Sequence, residues 1–159
     1  MYDVKPVTTA HATACGPACL KMLLAYYGHE ADLDALIAEC GVGVGGCTAT
    51  DVVRVSRAHG VELTAFRMDA EDVLRQDRPA ILWWRYSHFV VFCGLNDKGE
   101  PVIANPSSGR FGLPKATFLE CYAGIALCRG VPDDMIPADY WGENSETPEY
   151  FDYDEEEET

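Results

Sequence analysis

Hydrophobic residues in the first third of the chain recur with the period of a helix. Within residues 16–27 they fall three and four positions apart, which places them on one face. Pro17 suits the first turn of this helix, where its missing N–H costs nothing, and Gly28 suits its end. Two further segments repeat the period and are predicted helices: residues 33–40, and the stretch from Thr48 or Thr50 to Gly60.

After Gly60 the apolar period changes to that of strands. Residues 61–65 alternate between apolar and polar, as in a half-buried strand. Four later apolar runs are also predicted strands: Ala80–Trp84, His88–Cys93, Pro101–Ala104 and Ile125–Cys128. The turn at residues 96–99 ends in glycine and joins the second and third of these runs as a hairpin. Two short helices are predicted as well: one after Asp69 and one over Ala116–Cys121.

The order of these elements defines the expected fold class. Helices come first and a largely antiparallel sheet follows, which is an α+β layout with the helices segregated on one side of the sheet. A chain of 159 residues suits one domain with one hydrophobic core.

Charge is concentrated at the C-terminal end. The net charge of −14 disfavours nucleic acid and anionic lipid as partners. Residues 132–159 contain no Lys or Arg and include a run of four glutamates. We therefore expect one domain over residues 1–131 and an acidic, largely disordered tail over residues 132–159.

The N-terminus and the cysteines indicate a compartment. No basic stretch followed by an apolar core opens the chain, and no apolar run approaches the roughly 20 residues that a membrane span needs. We therefore expect a cytoplasmic protein that does not insert into the membrane. Its seven cysteines are then reduced, and each is a buried core residue, a metal ligand or a nucleophile.

Cys15 is the candidate nucleophile, because it lies just ahead of the first predicted helix. A helix N-terminus carries about half a positive charge and stabilises a thiolate, which is the reactive form of cysteine. Gly16, the next residue, would let a substrate backbone approach closely. The alternative for Cys15 is a buried cysteine at the start of a helix.

His88 and Asn105 are the candidate partners of Cys15. His88 opens one strand of the predicted hairpin and Asn105 ends the other, so the two residues lie side by side. An Asn that binds one ring nitrogen of a histidine leaves the other nitrogen to accept a proton. The alternative for His88 is a strand-end histidine that binds a loop carbonyl. The alternative for Asn105 is an asparagine that only stabilises its own turn.

These segments resemble a known family. Residues 14–20 (ACGPACL), running into Tyr26-Tyr27-Gly28, are similar to the catalytic segment of the double-glycine leader peptidases. Gly46-Cys47-Thr48 resembles the second conserved segment of the family, residues 87–91 (SHFVV) its histidine motif, and Asn105-Pro106 with Gly109 its Asp-Pro…Gly motif. The resemblance covers roughly residues 1–130.

The resemblance implies a papain-like fold and a cysteine peptidase with Cys15, His88 and Asn105 as its catalytic triad. It implies cleavage after a Gly-Gly pair that ends the leader of a ribosomally made precursor peptide. It also implies an ABC exporter as a separate partner, and no cofactor or metal. The family binds its leader as a helix in an apolar groove.

The sequence departs from the family pattern beside the nucleophile. The family places a Gln six residues before the cysteine as an oxyanion donor, and here that position is Thr9. Thr9 is therefore the oxyanion candidate, with His11 or Thr13 as possible substitutes. Ala14 stands where the family usually has an acidic residue, and Asn105 replaces its aspartate.

Other functions remain open at this stage. The residues Cys15, Cys19, Cys40, Cys47 and His11 could contribute to a zinc site, although no Cys-x-x-Cys pair occurs. The same fold could be a leader-binding module with weak or no turnover, or a transferase that uses thioester chemistry. The tail either solubilises the protein or contacts the site or a basic precursor, and truncation after Pro132 would distinguish these two roles.

Overall fold

The computed structural model describes residues 1–41 and 46–130. The predicted acidic tail and residues 42–45 lie outside the described residues. The helices are α1 (Cys15–Tyr26), α2 (Leu33–Cys40), α3 (Ala49–Ala58), α4 (Ala70–Leu74) and α5 (Lys115–Cys121). The strands are β1 (Thr64–Arg67), β2 (Ala80–Trp84), β3 (His88–Leu95), β4 (Pro101–Asn105), β5 (Gly109–Gly112) and β6 (Tyr122–Cys128).

Within the described part of the chain, the strands form one six-stranded sheet in the order β1-β6-β2-β3-β4-β5. Every pairing is antiparallel, and the predicted α+β class is therefore confirmed. The predicted hairpin joins β3 to β4, and its turn is closed by the Asn96 N–H, which donates to the Glu100 carbonyl (2.9 Å). Gly99 takes the positive φ that this turn needs.

Helices cover both faces of the sheet. The helices α1, α2 and α3 pack against Phe89, Val91 and neighbouring residues on one face. The prediction that all helices lie on one side is wrong, because Val73 of α4 and Phe118 of α5 pack with Phe92 on the other face. Both faces of β3 are buried for this reason, which explains its continuous apolar run.

The first strand begins later than its alternation predicts. Val61 is fully buried but lies outside β1, because its backbone is bound to the end of α3. Its N–H donates to the carbonyl of Ser56 (3.0 Å), and its own carbonyl accepts from the Ser56 hydroxyl (2.6 Å). The segment before β1 is thus a helix-terminating turn rather than a strand.

The strand β5 was not predicted, and it fixes the start of the chain. Arg110 of β5 donates to the carbonyls of Val4 (2.8 Å) and Tyr2 (3.3 Å). The N–H of Tyr2 also donates to the carbonyl of Cys93 in β3 (2.7 Å). These bonds hold the N-terminal segment across the sheet and lead it toward α1. Within the described residues, no helix combines the length and apolar character that a membrane span requires.

The N-terminus of α3 is held by a reciprocal pair of hydrogen bonds. The Thr48 hydroxyl accepts from the Asp51 N–H (3.2 Å), and the Asp51 carboxylate accepts from the Thr48 N–H (3.1 Å). We predict that Thr48→Ala lowers the free energy of unfolding by about 1 kcal/mol, because it removes this cap. Urea denaturation would measure the change.

A matched control for this prediction lies two residues further on. The hydroxyl of Thr50 is buried and has no hydrogen-bond partner among the described residues. Thr50→Ala should therefore cost less than about 0.5 kcal/mol, since it removes a buried hydroxyl that is not satisfied. Equal losses in the two variants would show that the cap of α3 does not carry the effect.

Candidate active site

His88 and Asn105 meet as the hairpin predicts. The Nε2 N–H of His88 donates to Oδ1 of Asn105 over 2.9 Å. Because Ala104 pairs with Val91, Asn105 lies diagonally across from His88 on the same face of the sheet. The bond places the ring proton on Nε2 and leaves Nδ1 of a neutral ring free to accept a proton.

The amide of Asn105 is itself held in one orientation. Its Oδ1 also accepts from the backbone N–H of Ser107 (2.9 Å), and its carbonyl accepts from the N–H of Ser108 (3.0 Å). A backbone N–H cannot accept a hydrogen bond, so the atom it meets must be the amide oxygen and not the amide nitrogen. The turn after β4 thus fixes which end of Asn105 faces His88.

His88 follows a strained turn. Arg85 and Tyr86 have φ angles of 54° and 59°, in the left-handed region that residues other than glycine seldom occupy. The turn is closed by the Ser87 N–H, which donates to the Trp84 carbonyl (3.2 Å). Left-handed backbone costs about 1–2 kcal/mol per residue and persists where the surroundings enforce it. One residue, Ser87, separates the strained residues from His88, the first residue of β3.

The structure places Cys15 at the first position of α1, beside the start of β3. Backbone N–H groups of Phe89, Gly16 and Cys15 itself lie close enough to its sulfur to lower the pKa of the thiol. The ladder between β3 and β4 begins only at Val91, so the Phe89 amide lies beyond it. Because Phe89 directly follows His88, the sulfur lies near the strand end that carries the histidine.

Two opposing effects act on the Cys15 thiol. Burial raises its pKa above the ordinary value, since the side chain is only 9% exposed and a buried thiolate loses hydration. The three backbone N–H groups lower the pKa, as expected at a helix start, but burial is the larger effect. The helix N-terminus therefore does not bring the pKa of the Cys15 thiol below its ordinary value.

Gly16 has a packing role that its sequence position does not show. A Cβ atom at this position would lie 2.5 Å from Sγ of Cys47, 3.3 Å from Cγ2 of Val52 and 3.6 Å from Cδ2 of Phe89. The space beside Gly16 is thus filled by the protein's own side chains. Glycine is therefore needed here for α1 to approach α3 and β3.

Thr9 lies next to the loop that carries Asn105. Its backbone N–H donates to the carbonyl of Pro106 (2.8 Å), and its hydroxyl accepts from the N–H of His11 (3.2 Å). The hydroxyl proton stays available for donation. Of the oxyanion candidates from the sequence, Thr9 is therefore the one that a backbone hydrogen bond ties to the Asn105 loop.

Two features of the site carried no sequence signal. The backbone N–H of Phe89 is placed near Cys15 by the fold. Since every residue except proline has a backbone N–H, the sequence does not show which one is used. Cys47 contacts Gly16 because α3 packs on α1, and this contact is not local in the sequence. Among the described residues, no group of three or more His, Cys, Asp or Glu side chains is arranged to hold a metal ion.

Comparisons with known proteins define the family. The profile of the Peptidase C39 family matches residues 3–131. The probable microcin-H47 secretion/processing ATP-binding protein MchF of Escherichia coli is 28% identical over 123 residues, which are 77% of this chain and 18% of that protein. The curated ATP-binding relatives are thus much longer, and the chain spans less than a fifth of their length.

Solved structures give the same result. The crystal structure of a double glycine motif protease from an AMS/PCAT transporter, in complex with the leader peptide, has a TM-score of 0.75 and 31% identity. The match covers 79% of this chain and 90% of that one. The peptidase domain of Streptococcus ComA, a bi-functional ABC transporter involved in a quorum sensing pathway, has a TM-score of 0.73 at 22% identity, over 80% of this chain and 97% of that one.

These matches define a cysteine peptidase with a papain-like fold. The chain belongs to the Peptidase C39 family. The family resemblance that the sequence motifs predict is thereby confirmed.

The packing around Gly16 yields a prediction. Gly16→Ala should lower the free energy of unfolding by about 1–3 kcal/mol, because the new methyl group overlaps the sulfur of Cys47. Chemical denaturation would measure it. Cys47→Ala on the same background removes that sulfur and should restore part of the loss. Strictly additive effects of the two substitutions would contradict the contact.

Proposed function

We propose that this peptidase removes the leader from a ribosomally made precursor peptide, cutting after a Gly-Gly pair, with Cys15, His88 and Asn105 as its triad. One observation carries the assignment of the triad. The His88–Asn105 hydrogen bond of 2.9 Å leaves Nδ1 of His88 free, while the Phe89 amide holds the Cys15 sulfur one residue away along the strand. The proposed peptidase unit is residues 1–131.

In the proposed mechanism, Nδ1 of His88 takes the proton from the Cys15 thiol. This transfer matters because burial raises the pKa of the thiol and would otherwise keep it protonated. The thiolate attacks the carbonyl carbon of the glycine that ends the leader, and His88 returns the proton to the leaving amine. Water, deprotonated by the same histidine, then hydrolyses the thioester.

Asn105 is proposed as the residue that orients His88. The backbone N–H of Ser107 holds its amide oxygen toward the ring, so the histidine keeps the tautomer that accepts from Cys15. An amide carries no charge, so it positions the ring without the charge of a carboxylate. This chain therefore uses a neutral amide oxygen where the family motif has the charged carboxylate of an aspartate.

Thr9 is proposed as a donor to the oxyanion, together with the backbone N–H groups at the start of α1. Its backbone is anchored at Pro106 and its hydroxyl proton is not engaged by the His11 contact, in which the hydroxyl accepts. A single oxyanion donor contributes about 100- to 1,000-fold to a rate. A hydroxyl in place of an amide would place this chain toward the slow end of its family.

The substrate class follows from the relatives. MchF is named as a secretion/processing protein, and the double glycine motif protease was solved with a leader peptide. We propose that this chain likewise acts on a precursor with a leader, together with an ABC exporter. The excess of acidic side chains favours a precursor that is neutral or basic.

Peptide cleavage tests the proposed function. A synthetic leader peptide with Gly-Gly before the cargo should be cut once, after the second glycine, and the same peptide with Ala-Ala should stay intact. Mass spectrometry of the products would locate the cut. Cys15→Ala should bind the peptide and not cut it. A wild-type protein that binds but does not cut would support the leader-binding module, and cutting elsewhere would overturn the Gly-Gly assignment.

The role of Asn105 gives a separate prediction. Asn105→Ala should lower kcat by about 100-fold with little change in KM, because His88 loses its orienting acceptor. Asn105→Asp keeps an acceptor oxygen and should retain most of kcat. Steady-state kinetics on the Gly-Gly peptide would compare the two variants. An unchanged kcat in Asn105→Ala would remove Asn105 from the mechanism.

A further inference from the structure

The side chain of Arg110 binds the N-terminal segment to the hairpin of β4 and β5, and it has no role in the proposed mechanism. Its Nη1 donates to the carbonyl of Val4 (2.8 Å) and its Nη2 to the carbonyl of Tyr2 (3.3 Å). Within the described residues, no carboxylate lies at ion-pair distance from Arg110. Its charge therefore acts on backbone carbonyls, and such charge-assisted hydrogen bonds are about twice as strong as neutral ones.

The backbone that follows Val4 is hydrogen-bonded only at its two ends. Among the described residues, none forms a backbone hydrogen bond with residues 5–8. The next bonded group is the N–H of Thr9, which donates to the carbonyl of Pro106 (2.8 Å). The position of Thr9 therefore depends on the anchor at Val4 as well as on its own bond to Pro106.

Both anchors lie on the hairpin that carries Asn105. Asn105 pairs with Gly109, Ala104 pairs with Arg110, and Pro106 directly follows Asn105. Residues 105–110 therefore contain the orienting residue of the proposed base and both anchors of the N-terminal segment. One end of one hairpin thus sets the positions of the base and of the oxyanion candidate relative to each other.

We propose that Arg110 is a positioning residue of the peptidase, which holds the N-terminal segment so that the Thr9 hydroxyl stays directed at the oxyanion. This inference rests on the proposed function, since Thr9 has that role only in a peptidase. Arg110 acts through Thr9 and takes no part in bond making. Its two terminal nitrogens serve two carbonyls at once, whereas a lysine has one donor nitrogen and a glutamine carries no charge.

Steady-state kinetics on the Gly-Gly peptide tests the proposal. Arg110→Gln should lower kcat by about tenfold with little change in KM, because a displaced oxyanion donor is lost mainly from the transition state. Arg110→Lys keeps the charge and one donor nitrogen, so it should recover most of that loss. An unchanged kcat in Arg110→Gln would overturn the proposal.

Arg78→Gln is the matched control. Arg78 also donates to a backbone carbonyl, that of Arg129 (3.0 Å), but it precedes the start of β2, whose other end pairs with His88. Its loss should leave kcat unchanged. An equal fall of kcat in both variants would show that the loss of any such anchor slows the enzyme, which would overturn a specific role for Arg110.

A double-mutant cycle separates an effect through Thr9 from any other. Thr9→Ala removes the hydroxyl and should lower kcat by about 100-fold. In that background Arg110→Gln should cost no more than about twofold, since the donor that it positions is gone. Losses that multiply in the double variant would mean that Arg110 acts elsewhere, and the proposal would be wrong.

The reactivity of Cys15 distinguishes positioning from a loss of structure. Arg110→Gln should leave the rate of iodoacetamide labelling of Cys15 unchanged, because the bonds of Arg110 involve neither the thiol nor His88. A slower Cys15 would mean that the substitution acts through Asn105 and His88. Faster labelling of Cys128, which is fully buried, would mean that the fold is loosened. Either result would overturn the proposal.

Hydrogen exchange tests the anchor without a substrate. In the folded full chain, NMR should show that the Thr9 amide exchanges severalfold faster in Arg110→Gln than in the wild type or in Arg78→Gln. An unchanged exchange rate would overturn the anchor. A wild-type protein that does not cut the Gly-Gly peptide would contradict the proposed function, and the exchange rate would still decide whether Arg110 holds Thr9.

Discussion

The start of α1 depends on a close contact that only glycine permits. Gly16 lies against Cys47, Val52 and Phe89, so that α1, α3 and β3 meet at one point. The approach brings the Cys15 sulfur within reach of the Phe89 amide. A larger residue at position 16 would separate these elements, and the Cys15 sulfur would move away from the strand that carries His88. The close contact at Gly16 therefore determines both the packing of the core and the geometry of the site.

Electrostatics at the site follows from this geometry. Tight packing buries Cys15, and burial raises the pKa of its thiol more than the helix N-terminus lowers it. In the proposed mechanism this thiol gives its proton to His88, whose Nδ1 is left free by Asn105 and the turn behind it. The site thus depends on the His88–Asn105 hydrogen bond between two strands as much as on the position of Cys15.

Much of this arrangement could be predicted from the sequence, where it depends on local order. The hairpin turn at residues 96–99 makes β3 and β4 neighbours, and this pairing alone brings Asn105 to His88. The helical periods give α1 to α3 within a few residues. The family motifs add the fold and the class of enzyme.

The remaining features depend on contacts between distant segments. An apolar strand does not reveal which helix covers each face, so the packing of α4 and α5 opposite α1 was not predictable. The partners of Gly16 come from α3 and β3, and a sequence shows the glycine without its neighbours. The balance between burial and the helix N-terminus at Cys15 likewise needs the packed structure. The strand β5 was missed because it is short and contains two glycines, which weaken any strand pattern.

The reactivity of Cys15 is the most direct test of the thiol–histidine pair. Iodoacetamide labelling of the folded protein would be followed against pH, with tandem mass spectrometry to separate Cys15 from Cys19 on their shared tryptic peptide. The pair predicts that Cys15 labels much faster than the other thiols near about pH 6. His88→Ala should abolish this advantage and His29→Ala should keep it. A Cys15 that labels only at high pH, as a buried thiol with a raised pKa does, and that is indifferent to His88 would contradict the pair.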